Sequence, residues 1–234
     1  MQKYYLFQYI DRFCEWRQIK FSILKIILCI HLNCMMLKSS FSKDKIEAGC
    51  DEVGRGCLAG PVVAAAVILP LNYSHKLLTD SKKLPKKKRD AIKLDILNDA
   101  IAYGIAEIHN EEVDKINVLQ ASFLGMHKAL DQLSPLPELI IVDGNKFIPY
   151  KKVPHECIIK GDGKFLSIAA ASILAKTYRD DLMEKLAISF PQYGWERNVG
   201  YPTKEHRAAI EEFGITPYHR KSFRLLPNQL DLFS

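Results

Sequence analysis

The spacing of hydrophobic positions changes along the chain, and the changes predict strands that alternate with helices. Residues 61–69 form a continuous apolar run with β-branched ends, typical of a strand buried on both faces. Ile92 and Ile96 mark an apolar helical stripe after Pro85, a favoured first helical residue. Residues 103–108 alternate as in a half-buried strand. Further strands are predicted at 47–51, 139–142 and 157–159, and further helices at 118–133, 165–188 and between Thr203 as N-cap and Gly214.

This alternation predicts an α/β fold with a mostly buried sheet. The small residues at 169–172 in the long predicted helix favour close packing.

The chain has 234 residues, of which 48% are apolar and 26% charged, and this composition excludes a disordered or fibrous protein. Its length suits one domain, or one domain with an appendage. We assign an N-terminal extension to residues 1–45, a catalytic domain to 46–226 and a C-terminal tail to 227–234.

Half of the net charge of +6 lies in residues 1–35, so a nucleic-acid surface on the body must come from local clusters. Residues 21–37 resemble a membrane segment, but Lys25, His31 and Asn33 interrupt it, and no good signal-peptidase site follows. Three interpretations of the extension stay open. It is a loosely packed or disordered tail, a membrane anchor, which the interruptions disfavour, or an untranslated stretch upstream of a start at Met35 or Met36.

The six cysteines form no CxxC pair, and no His/Cys group has zinc-ligand spacing. In a chain of this length they are expected to be reduced, small apolar residues. We therefore expect a cytoplasmic protein without a membrane partner.

Acidic residues follow three of the predicted strands, and each is followed closely by glycine. Singly, such residues are also ordinary turn formers. Two carboxylates 4 Å apart repel by about 4 kcal/mol at an effective dielectric constant of about 20, so a cluster would need protons or a cation. Oxygen ligands without His or Cys favour magnesium or manganese over zinc. The candidates are Asp51, Glu52, Asp143 and Asp162.

The first two candidates pose a geometric problem. Neighbouring residues of a strand face opposite sides, so Asp51 and Glu52 share one site only if the strand ends or bulges there. Gly54 and Gly56 favour such an irregularity, although the glycines alone are equally typical of a plain tight turn.

Two basic regions are candidates for phosphate contact. Residues 82–89 hold six cations at the start of a predicted helix. Cations at a helix N-terminus are repelled by the helix dipole. The cluster is therefore either a solvated helix end or a phosphate-binding site. Residues 218–224 form a second basic and aromatic cluster. Tyr193, Trp195 and Tyr201 lie among glycines, where an exposed ring could stack on a sugar or base, although any single one is more often core. Because Gly54-Arg55-Gly56 completes neither a P-loop nor a dinucleotide motif, ATP and NAD binding are not expected.

Read together, these segments resemble, in order, the motifs of the ribonuclease HII family. The resemblance implies an RNase H-like fold, a mixed β-sheet flanked by helices with a C-terminal helical region. It also implies an endonuclease that hydrolyses the RNA strand of RNA–DNA hybrids, including single ribonucleotides embedded in duplex DNA. The matching segments are Asp51-Glu52-Val53-Gly54-Arg55-Gly56, Asp80-Ser81-Lys82-Lys83-Leu84, Val142-Asp143-Gly144-Asn145, Lys160-Gly161-Asp162, residues 168–176, residues 190–194, Gly200-Tyr201-Pro202-Thr203 and His219-Arg220-Lys221-Ser222-Phe223.

The same resemblance implies roles for individual residues. Asp51, Glu52 and Asp143 would be metal ligands for Mn²⁺ or Mg²⁺, with Asp162 as the fourth catalytic acid. Two-metal-ion hydrolysis would leave 5′-phosphate and 3′-hydroxyl ends. Tyr201 would stack on the sugar at the RNA–DNA junction. The other implied substrate-binding residues are Gly54, Arg55 and Gly56, which would contact the ribose 2′-hydroxyl, and Lys82, Lys83 and Ser222.

The C-terminal tail indicates a protein partner. Gln229, Leu230, Leu232 and Phe233 resemble the anchors of the bacterial sliding-clamp-binding pentapeptide, which docks in an apolar pocket. The enzyme itself is expected to be a monomer. Three alternatives stay open: a nucleic-acid-binding protein without catalysis, a membrane-tethered protein, and a different metal nuclease on a related fold.

Overall fold

A computed structural model of the chain describes residues 37–75, 77–78 and 84–226. The elements of these described residues lie in the unit Leu37–Ser234. The strands are β1 (Glu47–Val53), β2 (Val62–Ile68), β3 (Ala102–Ile108), β4 (Leu139–Asp143) and β5 (His155–Ile158). The helices are α1 (Lys86–Asp99), α2 (Asn110–Ile116), α3 (Val118–Leu130), α4 (Leu166–Ser189), α5 (Trp195–Asn198) and α6 (Lys204–Phe213), with 3₁₀ turns at Gly161–Gly163 and Pro191–Tyr193.

The five strands form one mixed sheet in the order β3-β2-β1-β4-β5. β1, β2 and β3 are joined antiparallel, whereas β4 pairs parallel to both β1 and β5. Every residue of β2 is buried, as its continuous apolar run predicts. The expected mixed sheet flanked by helices is therefore confirmed.

Helices cover both faces of the sheet. On one face, α3 packs against alternate residues of β1, β2 and β4, including Cys50 and Val142. On the other face, α4 packs against β1 and β2, and α1 packs on α4. The start of α4 lies very close to β1, because a Cβ at Gly49 would be 2.3 Å from the backbone of Ser167. The small residues at 169–172 are buried, as expected for close packing.

The C-terminal helices form a smaller apolar cluster with the loop that follows β1. Leu58 and Ala59 of that loop pack with Met183 of α4, and with Trp195 and Ile210 of α5 and α6. Thr203 caps α6 as predicted, accepting a hydrogen bond from the His206 N–H at 3.1 Å. The cluster therefore attaches the C-terminal helical region to the end of β1.

Three elements differ from the sequence prediction. β1 continues to Val53 in unbroken register with β2, so it neither ends nor bulges at Asp51 and Glu52. A short helix, α2, precedes α3; its seven residues are too few to show a hydrophobic period. β5 begins at His155, two residues before the predicted strand, where the apolar signal is weak.

Part of the assigned extension contacts the body. The Lys38 N–H donates to the Lys164 carbonyl at 2.8 Å, and the Leu166 N–H donates to the Lys38 carbonyl at 2.9 Å. Residues 1–36 and the tail 227–234 lie outside the described residues, so the assigned domain boundaries stay predictions. In the part of the chain that is described, no helix is long and apolar enough to cross a membrane.

Candidate active site

Asp51 and Asp143 lie side by side at one edge of the sheet. The parallel register pairs Cys50 with Val142, and the next residue on each strand is an aspartate. Equivalent residues of neighbouring strands face the same side, so both carboxylates face α4. Asp51 is only 5% exposed. The strand pairing thus brings together two acids that are 92 residues apart in sequence.

Glu52 points to the opposite face of β1. It pairs with Ala64, which belongs to the α3 face, whereas Asp51 pairs with Ala65 on the α4 face. Its carboxylate accepts a hydrogen bond from the Arg55 guanidinium at 3.0 Å, three residues later. Glu52 is still close enough to Asp51 and Asp143 to interact with both charges.

The electrostatics of the site oppose the ionisation of Asp51 and Glu52. Burial raises the pKa of Asp51 well above its ordinary value, the charges of Glu52 and Asp143 raise it further, and a hydrogen bond from Ser172 of α4 offsets part of the rise. Burial also raises the pKa of Glu52, partly offset by Arg55. Placing three negative charges here is therefore costly without a cation.

Asp162 is connected to this group through the chain. The Gly161 N–H donates to Asp143 Oδ1 at 2.7 Å, which fixes the 3₁₀ turn against the end of β4. Asp162, the next residue, is buried. The structure therefore places all four predicted acids in the same region of the molecule, with Asp51, Glu52 and Asp143 interacting directly.

The donor chemistry of this region fits a hard divalent cation, since the candidate ligands are carboxylate oxygens. Among the residues the structure describes, however, no three His, Cys, Asp or Glu side chains stand already arranged around a point that could hold a metal. The arginine at 55 occupies one oxygen of Glu52. The fit thus rests on charge and ligand type, not on a preformed cage.

Two loops meet beside the acids. Gly54-Arg55-Gly56 directly follows β1 and makes a tight turn, in which the Cys57 N–H donates to the Gly54 carbonyl. The Leu58 N–H then donates to the Gly200 carbonyl at 2.8 Å, and this bond joins the turn to the loop that carries Tyr201. The Tyr201 side chain is 37% exposed, and its hydroxyl pairs with the Cys57 thiol.

A buried histidine pair supports the Tyr201 loop from behind. His206 Nδ1 lies 2.9 Å from the Tyr201 carbonyl, to which it donates, because its Nε2 accepts from the Trp195 indole N–H at 3.0 Å. His219 Nε2 lies 3.2 Å from the same His206 Nε2, and its Nδ1 accepts from the Thr216 N–H. Burial lowers the pKa of both imidazoles, that of His219 to about 4.

Acids of α4 neutralise part of the basic cluster at the start of α1. Lys86 pairs with Glu184, and Lys93 with Asp181. Arg89 donates to Asp180 at 2.9 Å, and Asp180 also accepts from Lys176. Lys87 and Lys88 are exposed, whereas Lys82 and Lys83 lie outside the described residues.

The structure corrects several expectations about exposed aromatic and basic residues. Tyr193 and Trp195 are buried and cannot stack on a ligand. His219 and Arg220 of the second basic cluster are also fully buried. Ser222 is exposed and donates its hydroxyl to Asp114 at 2.5 Å, so its substrate contact stays a prediction. The sequence left the two aromatic residues open between an exposed and a core position, and the polarity of His219 and Arg220 does not reveal their buried hydrogen-bond partners.

The profile of the family described as Ribonuclease HII matches residues 48–226. The chain belongs to the ribonuclease HII family. A protein of Christiangramia forsetii named Ribonuclease HII is 62% identical over 194 residues, covering 82% of this chain and 98% of the relative. This membership identifies the chain as a type 2 ribonuclease H, a hydrolase that cuts the RNA strand of its substrate.

Solved structures share the fold. An RNase HII of Archaeoglobus fulgidus, solved in complex with PCNA, superposes with a TM-score of 0.65 and 25% identity over 80% of this chain and 98% of that one. Bst-RNase HIII, solved with Mn²⁺, superposes with a TM-score of 0.60 and 20% identity, covering 80% of this chain and 69% of that chain. The ribonuclease HII fold of this chain is thus shared with both.

Sequence analysis missed the residues that support the ribonuclease HII site from α4. Ser172 contacts Asp51, and Arg179 contacts the loop after β1. Met183 contacts Gly60 in the same loop. These residues recur at helical spacing on one face of the predicted helix. The polar residues Ser172 and Arg179 on that apolar face were the sequence signal that could have identified them.

Proposed function

We propose that this ribonuclease HII cleaves at single ribonucleotides embedded in duplex DNA as well as along the RNA strand of hybrids. One observation carries the proposal: the Leu58–Gly200 hydrogen bond brings the Gly54-Arg55-Gly56 turn and Tyr201 together. The turn begins two residues after Glu52 and is paired to it through Arg55. A group that recognises ribose, a ring that recognises a sugar and the cleaving acids would therefore act on one junction.

The acids are proposed to form the catalytic centre. Asp51, Glu52 and Asp143 would hold the divalent cations, and Asp162 would complete the group. Held by these residues, two such cations would supply an activated water and charge stabilisation at the departing 3′ oxygen, and the products would carry 5′-phosphate and 3′-hydroxyl ends. Ser172 orients Asp51, and Gly161 orients Asp143, through the hydrogen bonds described above.

Gly56 supports a ligand role for the turn. A Cβ built at Gly56 meets nothing within 4 Å, so the packing of the protein does not require glycine there. A side chain at this position would project away from the protein, into the space that an approaching ribose needs. Close backbone approach with free N–H groups suits recognition of a 2′-hydroxyl, the group that distinguishes RNA from DNA.

Tyr201 is the proposed stacking residue. Its backbone carbonyl is held by His206 and its hydroxyl interacts with Cys57, while part of the residue stays exposed; both contacts would restrict the ring. A ring fixed in this way loses little conformational freedom when a sugar packs on it.

The decisive experiment compares three duplexes with the purified protein: DNA with one ribonucleotide, a uniform RNA–DNA hybrid and all-DNA. We expect cleavage of the first two with Mn²⁺ or Mg²⁺ and none with EDTA. Cleavage of the uniform hybrid alone would contradict recognition of single ribonucleotides. Because Bst-RNase HIII was solved with Mn²⁺, both metals are compared at several concentrations.

Tyr201→Ala tests the stacking role. The variant should lose roughly tenfold or more in kcat/KM on the single-ribonucleotide duplex, in keeping with the loss of one stacked group, and less on the uniform hybrid. Tyr103→Ala, at an exposed tyrosine of the edge strand β3, is the matched control. Equal losses of Tyr201→Ala on both substrates would count against the assignment.

We further propose that the tail binds a sliding clamp, that the enzyme is a monomer and that it acts in the cytoplasm. The archaeal relative solved with PCNA supports the first of these. Gln229, Leu230, Leu232 and Phe233 lie outside the described residues, so the support from this chain is its sequence.

A further inference from the structure

Arg179 of α4 is a fully buried arginine whose guanidinium binds backbone carbonyls. Nε donates to the Pro61 carbonyl at 2.9 Å, Nη2 to Ala59 at 2.9 Å and Nη1 to Val199 at 2.7 Å. The first two acceptors belong to the loop between β1 and β2. The third belongs to the loop that carries Tyr201. One side chain thus spans both loops beside the acids.

The contact surface around this guanidinium is tight. Gly54 has a φ of +91°, and a Cβ there would lie 2.5 Å from Arg179 Nε. Gly60, with a φ of +82°, would place a Cβ 3.2 Å from Nη2. Both ends of the loop therefore pack directly on Arg179, and the position of the guanidinium determines the position of Gly54.

The chemistry of arginine suits this arrangement. A planar guanidinium directs its donors along fixed directions, so it can hold three carbonyls at once in one geometry. A lysine ammonium keeps the charge but is a single point, and it cannot span the same three acceptors. Because Arg179 is fully buried, it does not reach a bound nucleic acid.

We propose that Arg179 is a positioning residue that sets the distance between the Gly54-Arg55-Gly56 turn and Tyr201. Through that distance it determines how well the enzyme recognises a single ribonucleotide, for which both loops must engage one sugar step. This inference rests on the proposed function. It adds a residue that acts through the two loops without touching the substrate.

The test is a double-mutant cycle between Arg179→Lys and Tyr201→Ala, measured as kcat/KM on the single-ribonucleotide duplex with Mn²⁺. In the wild-type background, Arg179→Lys should lower kcat/KM by at least about tenfold, since small misplacements of binding groups have large effects on rate. In the Tyr201→Ala background, the same change should cost less than about threefold, because the spacing no longer positions a ring.

The matched control is Arg207→Lys. Arg207 of α6 also donates to two backbone carbonyls, those of Arg224 and Leu225, and neither carbonyl belongs to the loop between β1 and β2 or to the loop that carries Tyr201. It should leave kcat/KM unchanged in both backgrounds. Circular dichroism and thermal melts verify that each variant is folded; if Arg179→Lys is not, Arg179→Gln, which keeps a donor, replaces it.

The outcomes separate the two proposals. A wild-type enzyme that does not cut the single-ribonucleotide duplex contradicts the proposed function. An active wild type in which Arg179→Lys has no effect, or the same effect in both backgrounds, overturns the positioning role alone. Unfolding of both Arg179 variants overturns it too, since the residue would then be required for the fold and not separately for recognition.

Discussion

At Asp51 the fold holds a carboxylate where its charged form is poorly solvated. The raised pKa means that ionised Asp51 destabilises the metal-free protein near neutral pH, since the unfolded chain ionises this group readily. The proposed catalytic role of Asp51 would account for the retention of this cost. Such conflict between stability and function is common at active sites.

Asp51→Asn should therefore nearly abolish cleavage without weakening the fold. In EDTA at pH 7 we expect the free energy of unfolding of the variant to equal or exceed that of the wild type, because a neutral amide is buried in place of a charge. Urea unfolding and a cleavage assay measure the two effects. Asp95→Asn, at an exposed acid of α1, serves as the control and should keep activity. Retained cleavage by Asp51→Asn would refute the assignment.

His219 makes stability depend on pH. Its pKa is lowered to about 4 in the folded state, against about 6.5 when unfolded, so the unfolded state binds the extra proton first as pH falls. Stability is fully present above about pH 6.5 and declines down to about pH 4, by roughly 3 kcal/mol at most. Urea unfolding from pH 7.5 to 4.5 measures the slope. His219→Asn should flatten it, and an unchanged slope would show that other groups cause the decline.

At the scale of elements, one buried ion pair joins α1 to α4. The Asp180 side chain is only 7% exposed and accepts from Arg89 of α1 and from Lys176 of its own helix. The adjacent Asp181 pairs with Lys93, but its side chain is 41% exposed. Burial should therefore make the first pair far more important than the second.

Asp180→Asn should lower the free energy of unfolding by about 3 kcal/mol, because it leaves two partly buried cations without a counter-charge. Asp181→Asn, one residue away, should change it by less than about 1 kcal/mol. Guanidinium-induced unfolding of both variants provides the comparison. Similar losses for the two would show that burial does not govern the strength of these pairs.

At the scale of the whole molecule, cleavage and partner binding are proposed to reside in separate segments. Deletion of residues 229–234 should leave cleavage of a short single-ribonucleotide duplex unchanged, while binding to a bacterial sliding clamp, measured by surface plasmon resonance, is lost. Leu232→Ala with Phe233→Ala should reproduce the loss, since these apolar anchors would fill the pocket. Clamp binding that survives the deletion would contradict the proposal that the tail binds the clamp.

Some of the site could be read from the sequence because its signals are local. The apolar run of β2, the small residues of α4 and the capping Thr203 each determine their own element, and these predictions are confirmed. Asp51, Glu52, Asp143 and Asp162 follow strands or turns that the pattern locates. Ordered motifs identified the family for the same reason, since each motif is a short contiguous segment.

Tertiary structure alone decided which polar side chains are buried and what they bind. The local sequence does not distinguish Arg179, which donates to carbonyls up to 120 residues away, from the exposed Arg55. Likewise Tyr193 and Tyr201 both lie among glycines, yet only Tyr201 is exposed. Periodicity reports which face of an element is apolar, whereas hydrogen bonds between distant loops depend on how the elements pack. The sequence by itself therefore determined most of the elements and the candidate acids, and packing determined how the loops beside those acids are held.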